Sequence, residues 1–190
     1  GAKYHGKQAG TFGVFGTLST FFSHHICTME GGFTLTDDEE LYHYMLALRA
    51  HGWTRNLPES SSLHQKNENP FYESFCFVVP GFNLRPLEME GALGVEQLKR
   101  LSGFINQRRE NAEYFRSVIG KDPRFYMQKE IGEASWFGFA LILKDADTAK
   151  RDRIVAHLRE SGIETRPIVA GNFARQPVFS RMNASISGTL

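Results

Sequence analysis

Cysteine is scarce: Cys27 and Cys76 are the only two in 190 residues. They fit no close-spaced metal or redox motif. The simple reading is a reduced, cytoplasmic protein in which both thiols are buried. Charge of one sign is also lacking. With 22 Lys and Arg against 21 Asp and Glu, the net charge is +1. No arginine-rich block or basic stripe is present, so nucleic acid is set aside as a partner. No apolar run approaches the ~20 residues of a membrane-spanning helix, so no membrane partner is expected. The opening residues, Gly1 to Lys7, hold no signal-peptide core, which argues against secretion if they are the true start. An initiator methionine is missing as well, and Ser185 to Leu190 stop without an obvious closing element. The expectation is that the chain is part of a longer polypeptide.

What is present suits a compact soluble protein. A chain that is 41% hydrophobic and 23% charged fits one domain or parts of two. Gly10, Gly13 and Gly16 lead into Thr17-Leu18-Ser19, which reads as strand. The dinucleotide fingerprint has another spacing and opens a helix, so these are read as turn glycines. Residues 32–36 alternate like a short strand. A helix follows, with Thr36 as N-cap and Glu39 completing a capping box. Leu41, Met45 and Leu48 lie at helical spacing, and Gly52 is the expected terminator.

Residues 54–73 hold Pro58, three consecutive serines, Asn67, Asn69 and Pro70, which predicts a long loop acting as a lid or subunit contact. Residues 75–79 read as a buried strand. Two helices are then expected, one from Pro86 and one over 104–119, with Ile105, Arg108, Ala112, Phe115 and Ile119 on one face. Gly91 and Gly94 inside the first point to close packing against another backbone. Residues 136–143 read as strand, 148–161 as helix and 163–169 as strand. The alternation is an α/β pattern.

Residues 19–32 are the most informative stretch: strand, a polar loop with adjacent imidazoles at His24 and His25, then a glycine turn. Three readings of the pair are open. The histidines could be surface or hydrogen-bonded groups. They could belong to a metal site, which needs further ligands, and His43, His51 and His64 show no recognisable zinc spacing. Or one could be a general base, since imidazole titrates near neutral pH.

Ser19, His24 and Glu30-Gly31-Gly32 resemble the cofactor-binding segment of the DegT/DnrJ/EryC1/StrS aminotransferase family. This is the sugar-nucleotide branch of fold-type I pyridoxal-phosphate enzymes. Its aminotransferases carry a lysine where His24 stands. The resemblance continues through Arg49 to Asn56, Gly81 to Glu88, Ser135 to Phe139 and Arg166 to Val169, and covers essentially the whole chain. It implies an α/β fold in which residues 1–101 form the end of the large domain with its linking helix. Residues 102–190 would form a truncated small C-terminal domain.

The resemblance also implies pyridoxal 5'-phosphate and pyridoxamine 5'-phosphate as cofactors. A lysine amine bonds covalently to the cofactor aldehyde; an imidazole forms no stable bond of that kind. With His24 there, the resemblance implies a non-covalently held cofactor and a dehydratase rather than an aminotransferase. His24 would be the base that takes a proton from the cofactor's reactive carbon, so that the C3 hydroxyl leaves a nucleotide-linked 4-keto-6-deoxyhexose such as GDP-4-keto-6-deoxymannose. Glutamate would be the amino donor. The product would serve deoxysugars such as colitose and the O-antigen of lipopolysaccharide. Ser19 would bind the cofactor phosphate, and Asn83 would reach it from the neighbouring subunit of a homodimer. Arg85 is placed for substrate phosphate or sugar, with an ion pair to Glu88 as its competing use. His51 lies near substrate, or serves as a helix-end cap.

A sister class of 3-dehydratases also carries histidine there but binds an iron–sulfur cluster, which needs several cysteine ligands. With no cysteine over residues 28–75, the reading is a site without a cluster. The alternatives are a sugar-nucleotide aminotransferase, which wants lysine at position 24, and a catalytically silent homologue. The family's aspartate for the pyridine nitrogen and its Ser/Thr/Gly phosphate loop are not identifiable, and both are expected before Gly1. The chain alone is therefore expected to bind cofactor poorly.

Overall fold

A computed structural model describes residues 1–145 and 147–188. Among these residues, three two-stranded antiparallel ladders and four α-helices run in chain order, besides short 3-10 turns. They are β1 (Lys3–Tyr4), β2 (Lys7–Gln8), β3 (Gly16–Ser19), β4 (Gly32–Leu35), α1 (Glu39–Leu48), α2 (Pro70–Glu73), α3 (Glu88–Ile119), β5 (Phe125–Met127), β6 (Leu141–Leu143) and α4 (Thr148–Glu160). The ladders pair β1 with β2, β3 with β4, and β5 with β6. Two compact units result: Gly1–Arg116 with Lys129–Phe137, and Ser117–Gln128 with Gly138–Leu190. No helix among the described residues is long and apolar enough to cross a membrane.

Helix α1 starts later than its capping box suggests. Asp38 is the N-cap, its carboxylate accepting from the Leu41 amide at 3.0 Å. Thr36 is engaged elsewhere. Its hydroxyl donates to the Val14 carbonyl at 2.7 Å and accepts from the Asp38 amide at 3.1 Å, which bends the chain before the helix.

The two helices expected between Pro86 and Ile119 are one helix of 32 residues, α3. The Glu90 carboxylate accepts from the Leu87 amide at 3.0 Å and fixes its start. Its predicted inward face holds: Ala112 is buried, and Ile105, Arg108, Phe115 and Ile119 are half-buried. The glycines inside it are less constrained than close packing requires. A Cβ at Gly94 would lie 3.3 Å from the Thr28 methyl, but at Gly91 it would meet nothing within 4 Å. Gly91→Ala is therefore expected to stabilise the fold by about 0.5–1 kcal/mol, read as a higher denaturation midpoint.

Three expected strands are reduced. Residues 75–79 form only the bridge between Trp53 and Phe77, and Phe75 and Phe77 face outward. Their partner, Trp53-Thr54, enters a 3-10 turn at once, so no ladder extends. The strand over 136–143 shrinks to β6, because Trp136 sits at φ +44° and breaks the extended run. Residues 163–169 pair with no strand among the described residues. Pro167 lacks an amide proton, and Val169 sits at φ +43°.

The apolar core is small. Among the described residues, Ala47, Ala50, Leu57, Ala112 and Trp136 are the buried apolar side chains, while Phe22, Phe71, Phe75 and Leu84 are among many large ones exposed. Both thiols, expected to be buried, are free and half-buried.

Candidate functional site

The β3–β4 ladder ends at the pair Ser19 and Gly32, and the intervening loop is closed on itself. The Thr20 amide donates to the Gly31 carbonyl at 3.1 Å, and the Thr28 amide donates to the Thr20 carbonyl at 2.9 Å. The buried Thr28 hydroxyl donates to the Glu30 carbonyl at 2.6 Å and lies 2.7 Å from the Thr20 hydroxyl. Gly31 sits at φ +124°, where a Cβ would lie 2.9 Å from Thr20 Oγ1 and 3.0 Å from Thr28 Oγ1. The glycine turn read from the sequence is thus the clasp of the loop that carries both histidines.

Inside that loop the His24 amide donates to the Phe21 carbonyl at 2.9 Å. The half-buried His24 ring packs 5.3 Å from the Phe137 ring at 37° and 6.4 Å from the Phe21 ring at 70°. Its Nδ1 faces the Ser19 hydroxyl at 3.5 Å, and that hydroxyl accepts from the Phe21 amide at 3.2 Å. Among the described residues, no hydrogen bond engages His24 Nε2. His25 turns the other way, its Nε2 donating to the Ser135 carbonyl at 2.8 Å. Burial lowers its pKa, helped by Arg108 and His24 and opposed by the Ser135 carbonyl. His25 is therefore held towards its neutral form, and the loop stays anchored.

Segment 134–137 is clamped from behind by α3. Arg108 Nη1 donates to the Trp136 carbonyl at 2.9 Å and the Phe137 carbonyl at 3.4 Å, and Arg109 Nε donates to the Ala134 carbonyl at 3.1 Å. These arginines position the two groups the histidines touch, Ser135 and Phe137. The sequence signal was available: an arginine on the inward face of a helix needs carbonyls to receive it.

His51, Asn83 and Arg85 come together elsewhere in the same unit. Past α1, the chain runs antiparallel to residues 78–84. The Phe82 amide donates to the Leu48 carbonyl at 2.7 Å, the His51 amide to the Phe82 carbonyl at 2.8 Å, and the Leu84 amide to the Arg49 carbonyl at 2.8 Å. Asn83 bridges Ala50. All three side chains are exposed. Among the described residues no ion pair joins Arg85 to Glu88, so that competing use is not made. Among the described residues, no hydrogen bond or ring contact links this strip to His24 or Ser19; the structure groups the expected site residues in two sets.

A third constellation, legible in no spacing, surrounds Glu73. Its carboxylate accepts from the Asn67 amide at 2.9 Å, the Thr54 hydroxyl at 2.6 Å and His64 Nε2 at 2.9 Å. These donors, Asn67 foremost, hold the Glu73 pKa down to about 2. A depressed carboxylate stabilises the fold fully above its ordinary pKa, and the contribution is lost as pH falls towards about 2. Trp53, whose indole donates to the Ser74 carbonyl at 3.0 Å, reports on this segment. Acid titration of its fluorescence is expected to show a transition in that window, and Glu73→Gln is expected to flatten it.

The model of the DegT/DnrJ/EryC1/StrS aminotransferase family matches residues 1–190. The chain belongs to that family. A curated relative, GDP-4-keto-6-deoxy-D-mannose 3-dehydratase of Yersinia pseudotuberculosis, is 59% identical over 176 residues, covering 92% of this chain and 45% of the relative. Among solved structures, the E. coli GDP-4-keto-6-deoxy-D-mannose-3-dehydratase with bound hydrated PLP superposes with a TM-score of 0.91 at 53% identity. That match covers 95% of this chain and 47% of the other. A variant of the same kind of enzyme with bound GDP-perosamine gives a TM-score of 0.91 at 52% identity, covering 95% of this chain and 47% of the other. The chain thus carries part of the PLP-dependent aminotransferase fold and spans about half the length of the relatives it matches.

Proposed function

We propose that the protein is a PLP-dependent sugar-nucleotide 3-dehydratase, acting on GDP-4-keto-6-deoxymannose. The feature that carries the reading is His24: the family resemblance puts its imidazole in the lysine's place, and it lies beside Ser19 with Nε2 unengaged among the described residues. The donor chemistry fits the cofactor. Ser19 and Asn83 offer a hydroxyl and an amide to phosphate oxygens, and His24 offers a ring nitrogen that can accept a proton. Pyridoxamine phosphate, when bound, supplies the amino group and an electron sink.

The chain's own residues do the rest. The His24 imidazole carries its proton on Nδ1, towards Ser19 Oγ, so Nε2 is the acceptor. Packing against Phe137 and Phe21 fixes the ring plane, and His25 pins the loop to segment 134–137. Nε2 takes up a proton over the site and returns it. Ser19 holds the cofactor phosphate, Asn83 serves the neighbouring subunit's site in a homodimer, and Arg85 and His51 face the nucleotide sugar. Residues 1–101 belong to the large domain and 102–190 to the small one. Exposure of many large apolar side chains supports subunit contacts. Glutamate is the amino donor, and the product feeds colitose and surface polysaccharide in the cytoplasm.

The nitrogen balance tests this reading against transamination. A dehydratase releases one ammonia per sugar consumed; an aminotransferase leaves that nitrogen on the sugar. Stoichiometric ammonia is the expected result, and its absence during sugar turnover rejects the proposal.

A further inference from the structure

The long segment between the Trp53 turn and Cys76 contains a group of donors that the deoxygenation reaction does not use. His64 lies in a tight turn, its amide donating to the Ser61 hydroxyl at 3.1 Å, with Ser60 and Gln65 bridged around it. Glu73 closes α2, which Asn69 starts by accepting from the Phe71 amide at 3.0 Å. Cys76 follows, with its amide on the Glu73 carbonyl at 3.2 Å and its carbonyl accepting from the Thr54 amide at 3.0 Å. One ligand atom from each of the three lies within 4.8 Å of the others, and all three residues are half-buried.

We propose that His64, Glu73 and Cys76 form a binding site for a divalent cation of borderline softness, zinc being the best match. A nitrogen, an oxygen and a sulfur donor are the ligand types zinc takes, and three protein ligands leave a fourth position for water. A mixed set of this kind disfavours magnesium and calcium, which want oxygen alone. The outer shell is in place. The fully buried Thr54 donates its hydroxyl to Glu73 Oε1 at 2.6 Å, and the Asn67 amide donates to Oε2 at 2.9 Å. Such partners orient a ligating carboxylate.

His64 Nε2 and Glu73 Oε2, 2.9 Å apart, need to part only to the ~3.3 Å that two ligands at ~2.0–2.1 Å from a tetrahedral ion require. An open cleft lined by Trp53, Lys66, Glu73 and Phe75 gives a way in. Binding balances as follows. The ion enters, the imidazole keeps its proton by carrying it on Nδ1, and one proton leaves from the Cys76 thiol. The bound ion clips residues 64–76 together and masks that thiol. It takes no part in the chemistry at His24, so the site stands or falls independently of the proposed reaction.

Cobalt titration of the natural polypeptide tests the site directly. One equivalent of Co²⁺ is expected to give a thiolate-to-cobalt charge-transfer band that Zn²⁺ bleaches stoichiometrically. Cys76→Ser is expected to remove the band, and Cys27→Ser to keep it. Alkylation of the unsubstituted protein, followed by peptide mass mapping, guards against a misfolded variant. Zn²⁺ at about ten times its Kd is expected to slow labelling of Cys76 about tenfold, since only the metal-free fraction exposes the thiol, and to leave Cys27 unaffected. No cobalt band in the unsubstituted protein, a band that survives Cys76→Ser, or equal labelling of Cys76 with and without Zn²⁺ would overturn the proposal.

Discussion

His24→Asn is expected to slow C3 deoxygenation by about 10²–10⁴-fold, the usual contribution of a positioned acid–base group. Asparagine keeps a polar side chain beside Ser19 but cannot accept and return a proton at neutral pH. The rest of the loop does not depend on the imidazole. Its closure rests on Thr20, Thr28 and Gly31, and its anchorage on His25 and Ser135. Substrate KM and thermal stability should therefore change little while kcat falls. His24→Lys should differ in kind. Its amine can bond to the cofactor aldehyde, so borohydride treatment should add the cofactor's mass to the protein, as it should not for the unsubstituted chain. Deoxygenation at the original rate in either variant would remove His24 from its role as base.

The second large effect is structural. Gly52 lies at φ +84°, and a Cβ there would sit 1.6 Å from the Val79 carbonyl oxygen. Gly81 is equally tight, its notional Cβ 2.1 Å from the Gly52 amide nitrogen. Two backbones meet here with no side chain between them, so no rotamer change relieves the clash. Gly52→Ala adds a left-handed conformation costing about 1–3 kcal/mol to forced separation of the strips. The Val78 amide would then lose the Gly52 carbonyl, 2.9 Å away, and the strip bearing His51 and Asn83 would loosen. A loss beyond about 3 kcal/mol is expected, a large part of a typical domain's 5–15 kcal/mol. A denaturation midpoint within about 0.5 kcal/mol of the parent would show that the approach is not tight. Gly91→Ala in α3 is the control, since added bulk there meets nothing within 4 Å.

Much of this was legible in the sequence because short-range chemistry carried it. The strands at residues 16–19 and 32–35, the helix over 148–160 and the inward face of α3 follow from periodicity and local capping. The loop carrying both histidines was legible for another reason: two adjacent histidines ahead of a double glycine are unusual, and the family resemblance gave them a reading. What failed depended on partners distant in sequence. Thr36 was a good cap by position, but Val14 claims its hydroxyl. Residues 75–79 had the composition of a strand, yet found only Trp53 opposite. Gly91 and Gly94 suggested close packing against another backbone, yet a Cβ would meet nothing within 4 Å at Gly91 and only the Thr28 methyl, at 3.3 Å, at Gly94. The His64, Glu73 and Cys76 cluster had no signature at all, because a turn, a one-turn helix and a bend bring its members together.

Mass analysis of the sugar nucleotide tests the central claim most directly. The natural polypeptide carrying this chain is incubated with pyridoxal phosphate, glutamate and GDP-4-keto-6-deoxymannose. Loss of one oxygen from the sugar nucleotide is the predicted result. An amino group in place of the ketone, with every oxygen but the carbonyl's retained, would contradict the assignment of His24 and make the protein an aminotransferase.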